Sequence, residues 1–221
     1  MLVRAVVFDL WDTIVDFDQE QSDALQRRIA ERIAVPYERF TEVWYSEDLT
    51  RRRNVGPIAP CVTAACETLG VDPDLDEILA LRLEHMRGAL VPREGLLETL
   101  AVLRERGFRL GLISNCTEEV AGAWAGTTFA RFFDVAVFSA TAGLAKPDPA
   151  IYRLAVDRLG VASEECLFIG DGANDELRGA EAAGMTPVLI HRDGSDPIWE
   201  TVRDWDGLRI TSLPQVLELV A

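Results

Sequence analysis

Polar side chains follow the apolar segments of this sequence at the points where those segments end. Asp9 lies near the end of the first apolar segment, and Ser114 ends the second. Lys146 follows the third after a short loop, and Asp171 comes directly after the fourth. Ligands of open parallel sheets bind outside the carboxyl ends of the strands. We therefore expect these four side chains to converge on one rim.

A carboxylate in such a place can act as a nucleophile. Asp9 could attack phosphorus or an activated carbon and form an ester-like covalent intermediate. Lys146 would offset the charge of an anionic substrate, and Ser114 could hold substrate oxygens together with backbone N–H groups at the next helix start. Asn115, which follows Ser114, is a further candidate for substrate contact.

Acidic residues at the same rim suit a divalent cation. Asp9, Asp171 and Asp175 would supply oxygen ligands only, which is the donor set that Mg²⁺ prefers. The cation would bridge the nucleophile and the substrate oxygens and stabilise developing charge. We therefore predict that these three residues bind Mg²⁺. Glu176 is an alternative to Asp175, because the spacing within such a loop varies.

The elements that must position these residues alternate between strand and helix. Apolar, β-branched segments predict strands at 4–10, 109–114, 134–139, 166–170 and 187–190. Helical spacing and end signals predict helices at 96–106, 148–159 and 175–183. This alternation indicates an α/β fold, with a parallel sheet and helices on both faces.

Residues 16–91 interrupt the alternation. This segment has no convincing strand, and its apolar spacing predicts helices at 19–34, 37–52, 59–69 and 74–90. We therefore predict that residues 1–15 and 92–221 form the catalytic core and that residues 16–91 form an all-helical insertion.

The candidate residues, in this order, resemble the four motifs of the haloacid dehalogenase-like hydrolase superfamily. The motifs are Asp9 with Thr13, Ser114-Asn115, Lys146-Pro147 and Gly170-Asp171 with Asp175. The insertion resembles the helical cap that one subfamily carries after its first strand. The resemblance spans nearly the whole chain. It implies a Rossmann-like core, an aspartyl-enzyme intermediate and, in most members, Mg²⁺. Most members are phosphatases, and a minority cleave carbon–halogen or carbon–phosphorus bonds.

The sequence departs from the phosphatase pattern at Trp11. Phosphatases of this superfamily resemble Asp-x-Asp at the first motif, where the second Asp protonates the leaving alcohol. The indole of Trp11 cannot supply that proton. General acid–base catalysis typically contributes about 10²–10⁴-fold, so we expect a substrate with a good leaving group or slow turnover. Trp11 is itself a candidate for substrate contact.

These features leave three functions open. The leading hypothesis is a Mg²⁺-dependent phosphatase that acts on a small phosphorylated metabolite. A 2-haloacid dehalogenase is the alternative that Trp11 favours, because halide leaves without an acid. Such dehalogenases, however, work without metal and resemble Ser-Ser-Asn where this chain has Gly170-Asp171. A binding protein that kept the fold and lost its acid is the third hypothesis.

The composition restricts the classes of molecule that this protein can bind. The formal net charge of −15 argues against nucleic acid and requires a local cation for any anionic substrate. No apolar run approaches a membrane span, and the N-terminus does not resemble a signal peptide, so we expect a cytoplasmic protein. The sequence leaves the oligomeric state open between a monomer and a homodimer. The run Arg51-Arg52-Arg53 is more often a solvated helix face, although it could attract an anionic substrate.

Overall fold

The computed structural model describes residues 2–192, 194 and 199–220, and within them it shows one six-stranded parallel sheet. The strands are β1 (Ala5–Phe8), β2 (Arg109–Ser114), β3 (Val135–Phe138), β4 (Cys166–Gly170), β5 (Thr186–Ile190) and β6 (Leu208–Ile210). The first five correspond to the predicted strands. The sixth was not predicted, because β6 is only three residues long and its Leu208 is exposed.

Helices connect these strands, and eleven α-helices lie within the described residues. They are α1 (Gln19–Arg32), α2 (Tyr37–Trp44), α3 (Glu47–Asn54), α4 (Ile58–Leu69), α5 (Leu75–Ala89), α6 (Leu96–Glu105), α7 (Glu118–Trp124), α8 (Ser139–Ala142), α9 (Pro149–Leu159), α10 (Glu176–Ala182) and α11 (Val216–Leu219). The predicted α/β fold with a Rossmann-like sheet is confirmed.

The strand order places the candidate nucleophile at the centre of the sheet. The order is β3-β2-β1-β4-β5-β6, so the chain moves to one side of β1 and then crosses to the other side at β4. Ligands of such sheets bind where the order reverses. Asp9 follows β1 at this point, and its backbone N–H donates a hydrogen bond to the carbonyl of Ile169 in β4, at 2.8 Å.

Alternation along β1 divides the core into two layers. Val6 and Phe8 pack on one face of the sheet, and Ala5 and Val7 pack on the other. All four side chains are fully buried. A strand that is apolar on both faces is what a sheet covered by helices on both sides requires.

The segment between β1 and α6 is helical and has an apolar cluster of its own. The cluster is built from α1 to α5, with Ile29, Trp44, Val62 and Ile78 among its buried members. Its two connections to the core lie side by side, where Val15 and Pro92 form an antiparallel bridge. The division into a core and a cap at residues 16 and 91 stays a prediction.

One predicted helix, at 37–52, is two helices. The chain turns at Tyr45 and Ser46, and the extended ψ of 147° at Ser46 ends the hydrogen-bond ladder of α2. Glu47 and Asp48 then begin α3, where negative charge suits the helix N-terminus. Arg53, near the end of α3, lines the cavity described below. None of the helices in the described ranges is both long and apolar enough to cross a bilayer.

Candidate active site

A cavity of about 510 Å³ lies between the strand ends and the helical insertion. On the core side it is lined by Asp9, Lys146, Asp171 and Glu176. All four are buried, with exposed fractions of 5% or less. Three of the four predicted strand-end residues therefore meet here, and Glu176 joins them.

Lys146 is the cation at the centre of this group. Its ammonium binds Oδ1 of Asp9 and lies 2.5 Å from Oε2 of Glu176. Burial by itself lowers the pKa of Lys146, but the two carboxylates outweigh this effect and raise that pKa above its ordinary value. Lys146 therefore stays charged and holds Asp9 in one orientation.

Two glycines allow Glu176 to reach Lys146. A Cβ on Gly170, at the end of β4, would lie 2.1 Å from Oε1 of Glu176. A Cβ on Gly179 would lie 2.6 Å from the carbonyl oxygen of Pro147, where α10 packs against the loop that carries Lys146. Both positions require glycine. A Cβ at Gly170 would displace the side chain of Glu176, and a Cβ at Gly179 would displace the loop that carries Lys146.

Further hydrogen bonds fix Glu176. Its Oε1 accepts the backbone N–H of Gly172 at 3.0 Å, and its backbone carbonyl accepts the hydroxyl of Tyr152 at 2.8 Å. Burial raises the pKa of Glu176 well above its ordinary value, while Lys146 acts in the opposite direction. An acid that is fully buried beside two others stays ionised only with compensating positive charge.

Asp171 also lies close to Asp9. Its carboxylate accepts the backbone N–H of Ala173 at 3.1 Å and the indole N–H of Trp199 at 2.5 Å. Burial, followed by the charge of Asp9, raises the pKa of Asp171 to about 6. The side chain is thus held in place with a charge that its surroundings do not neutralise.

The three acids form a group that fits a divalent cation. Asp9, Asp171 and Glu176 each offer an oxygen, and these oxygens lie within 4.8 Å of one another. Ionised, the three acids carry three negative charges against one positive charge on Lys146. An all-oxygen set with excess negative charge suits a hard cation.

Asp175, which was predicted to belong to this group, lies outside it. Its side chain is 46% exposed and lies 3.5 Å from Arg178. The reason is the backbone: Asn174 and Asp175 have φ values of 53° and 57°, a left-handed conformation that Asn and Asp tolerate. This turn directs the carboxylate of Asp175 away and brings Glu176 inward as the first residue of α10.

The two polar residues at the end of β2 are placed differently from each other. Asn115 lines the cavity, yet its amide makes two 2.8 Å hydrogen bonds with the backbone of Lys146, one given and one received. It therefore positions the lysine loop. Ser114 is fully buried and is not among the described residues that line the cavity. Within the described residues its hydroxyl forms no hydrogen bond of ordinary geometry, although it interacts with the buried thiol of Cys116.

Trp11 lines the same cavity as Asp9. Its ring packs edge-on against Phe17, with centroids 5.8 Å apart. The neighbouring Asp12 also lines the cavity, but its Oδ1 accepts the N–H of Phe17 at 3.0 Å and lies 3.5 Å from Arg93. Its φ of 53° turns it out of the strand alternation. These contacts engage the carboxylate of Asp12, so it is not available to protonate a leaving group.

The opposite wall of the cavity belongs to the insertion and carries cations. Arg53 from α3 and Arg82 from α5 line it and are buried. Their neighbour His85 has its pKa lowered by burial and then by Arg82. Arg53 was singled out only as part of an arginine run. No local pattern could reveal Arg82 or Trp199. Glu176 was named as an alternative metal ligand, but its contact with Lys146 was not predicted.

A strand-end carboxylate beside a buried lysine, with a three-acid group at the switch point of a parallel sheet, is typical of a hydrolytic α/β site. A family model for haloacid dehalogenase-like hydrolases matches residues 3–184. The chain belongs to this family and is a hydrolase.

Two relatives match most of the chain. A glyceraldehyde 3-phosphate phosphatase from Methanopyrus kandleri is 29% identical over 86% of this chain and 85% of its own length. A phosphoglycolate phosphatase from Rhodospirillum rubrum is 33% identical over 85% of this chain and 78% of its own.

The fold is also shared with a differently named protein. The crystal structure of a 2-haloacid dehalogenase from Pseudomonas syringae pv. Tomato matches with a TM-score of 0.71 and 24% identity, over 99% of this chain and 98% of that one. The fold therefore does not discriminate between the two chemistries, and the side chains of the site must do so.

Proposed function

We propose that this hydrolase is a Mg²⁺-dependent phosphatase for a small phosphorylated metabolite, with its helical insertion acting as the cap over the site. The observation that carries the proposal is the group of Asp9, Asp171 and Glu176, whose three carboxylates exceed the single charge of Lys146. The two phosphatase relatives, similar over most of the chain, support the same class of substrate.

In this proposal Asp9 is the nucleophile. Lys146 holds the carboxylate of Asp9 in place and offsets the charge of the incoming phosphoryl group. An oxygen of Asp9 forms a bond to phosphorus as the bond to the leaving oxygen breaks, and water then hydrolyses the aspartyl-phosphate to release phosphate and restore Asp9. Asn115 acts through Lys146 as a positioning residue, and Ser114 supports the end of β2.

Asp9 and Asp171, with Glu176 completing the group, would hold Mg²⁺. The cation would supply electrostatic stabilisation of the charge that develops on the phosphoryl oxygens. Glu176 rather than Asp175 is assigned here, because its carboxylate lies with those of Asp9 and Asp171.

Trp11 shapes the choice of leaving group. No proton donor occupies its position, and Asp12 is held by Arg93 and by the backbone of Phe17. We expect efficient turnover only when the leaving oxygen needs little protonation. Trp11 is also the observation that favours the second candidate, a 2-haloacid dehalogenase, because halide needs no proton.

One experiment separates these functions. Phosphate release from p-nitrophenyl phosphate, which has a good leaving group, should require Mg²⁺ and stop with EDTA. Halide release from 2-chloropropionate should be absent. Halide release that EDTA does not affect would replace the phosphatase by the dehalogenase. Absence of both activities would leave a binding protein.

A further inference from the structure

Two buried arginines of the insertion line the same cavity as Asp9. Arg53 is 7% exposed and Arg82 is 6% exposed, and both line the cavity. Both guanidinium groups lie over the indole of Trp44, with their central carbons 4.8 Å and 4.4 Å from the ring centroid. One aromatic ring therefore contacts both cations.

Only one of these two positive charges is compensated. Arg82 forms a buried ion pair with Glu119 of α7. Arg53 has no carboxylate within ion-pair distance in the described part of the chain, and its Nη1 donates instead to the carbonyl of Trp44, at 2.5 Å. Burial, followed by the charge of Arg82, lowers the pKa of Arg53. Buried charges in proteins are as a rule paired, so Arg53 is an exception that needs a partner.

The acids that also line this cavity are already engaged. Asp16 lies 2.7 Å from Arg93 and 2.6 Å from Arg192. Asp18 caps the N-terminus of α1 through the N–H of Gln21. Neither forms an ion pair with Arg53 in the described structure.

We propose that Arg53, supported by Arg82 and Trp44, binds a carboxylate at the end of the substrate remote from the phosphoryl group. This inference deepens the proposed function: it names the substrate class as small phosphorylated carboxylic acids. The phosphoryl group lies at Asp9 and Lys146, and the carboxylate lies at the arginine wall.

A carboxylate fits this wall better than a second phosphate. The wall has one uncompensated positive charge, which a carboxylate matches and a phosphate dianion exceeds. A guanidinium presents a planar fork that pairs with two carboxylate oxygens. The volume of about 510 Å³ accommodates a small molecule between the two walls.

Substrate analogues that cannot be hydrolysed test the subsite without turnover. The probes are phosphonoacetate, 3-phosphonopropionate and 4-phosphonobutyrate, each compared with the alkylphosphonate of the same chain length. Binding to the Mg²⁺-loaded protein is measured by isothermal titration calorimetry. At least one carboxylate probe should bind about tenfold more tightly than its alkyl counterpart.

Variants locate this preference. Arg53→Met keeps an unbranched apolar stem and should reduce the preference to about threefold or less. Arg53→Lys keeps the charge without the fork and should give an intermediate value. Arg52→Met is the matched control, because Arg52 is its exposed neighbour and pairs with Asp48, and it should keep the full preference.

Several outcomes would overturn the proposal. The wild-type protein could bind both probe series equally, or Arg53→Met and Arg53→Lys could both keep the wild-type preference. Tighter binding of alkylene bisphosphonates than of the carboxylate probes would overturn the assignment of a carboxylate. If the preference is present but phosphate esters are not hydrolysed, the proposed function fails while the subsite stands. Melting curves confirm that each variant is folded.

Discussion

The two walls of the cavity carry opposite excess charge. On the core wall, Asp9, Asp171 and Glu176 surround the single cation Lys146. On the insertion wall, Arg53 and Arg82 have Glu119 as their carboxylate. The core wall thus lacks positive charge, and the insertion wall lacks negative charge. A metal cation would complete the first, and an anionic group of the substrate would complete the second.

The walls also differ in how their side chains are fixed. The acids of the core follow strand ends and are held by backbone N–H groups, as Glu176 is by Gly172 and Asp171 is by Ala173. The arginines of the insertion lie over the ring of Trp44, and each has one further contact: Arg53 donates to the carbonyl of Trp44, and Arg82 pairs with Glu119. The acids thus depend on backbone groups of their own loop, whereas the arginines depend on one aromatic side chain and on contacts with other helices.

Replacing the proposed nucleophile should have the largest effect among these tests. Asp9→Asn removes the attacking oxygen and should lower phosphate release at least about 10³-fold. Asp175→Asn makes the same change at an exposed acid that lies outside the three-acid group, and should keep activity within about twofold. Both are measured as kcat/KM for p-nitrophenyl phosphate with Mg²⁺. More than a tenth of wild-type activity in Asp9→Asn would move the nucleophile to another residue.

The acid excess of the core wall should appear in stability as a function of pH. The pKa of Asp171 is raised from 3.8 to about 6, so the folded protein binds this proton more tightly than the unfolded chain does. The contribution of Asp171 to the free energy of unfolding is therefore favourable at low pH. It falls as the pH rises from about 4 to about 6, by up to about 3 kcal/mol.

Urea unfolding of the wild type and of Asp171→Asn, both in EDTA, isolates this contribution. Relative to the wild type, the free energy of unfolding of Asp171→Asn should increase between pH 4 and pH 6, and the difference should stay constant above pH 6. Mg²⁺ should then raise the melting temperature of the wild type more than that of the variant, because a ligand of the folded state stabilises it. A difference that is the same at all pH values would contradict the raised pKa of Asp171.

The core wall could be predicted from the sequence further than the insertion wall. Asp9, Lys146 and Asp171 each follow a buried apolar segment, and parallel strands bring their carboxyl ends to one rim. Glu176 was named as an alternative to Asp175, but the sequence could not decide between them, because the direction of each side chain depends on two left-handed residues in one loop. Local sequence patterns do not show that such a turn will form.

The insertion wall depends on contacts between distant segments. Arg53 and Arg82 meet over Trp44 only because the chain breaks between α2 and α3 and α5 returns beside them. Helical spacing predicts the existence of those helices but not the orientation of one against another. The hydrogen bond from the indole of Trp199 to Asp171 was unpredictable for the same reason, since the two residues lie 28 positions apart in the sequence.

The missing proton donor gives a smaller test on the core wall. Trp11→Asp should raise kcat/KM for an alkyl phosphate about tenfold relative to p-nitrophenyl phosphate, because only the alkyl leaving group needs a proton. Trp11→Phe is the control, since it keeps an aromatic ring against Phe17 and adds no acid. An unchanged ratio in folded Trp11→Asp would show that the leaving group is protonated from elsewhere or not at all.

The smallest expected effect concerns the stability of the insertion wall. Arg53 is buried with an uncompensated charge, and burial lowers its pKa. Replacing it by Met removes that charge while filling similar space, and this should raise the free energy of unfolding by about 1 kcal/mol in the absence of ligand. Arg52→Met, at an exposed ion pair, should change it by less than about 0.5 kcal/mol.

Urea denaturation of the two variants and the wild type measures both values. A loss of stability in Arg53→Met would mean that the hydrogen bond to Trp44 and the contacts with the Trp44 and Tyr45 rings already outweigh the cost of burying the charge. A gain would mean that the folded protein holds this arginine at the expense of its own stability. Such a loss of stability is expected where a buried charge serves to bind a ligand that is absent from the free protein.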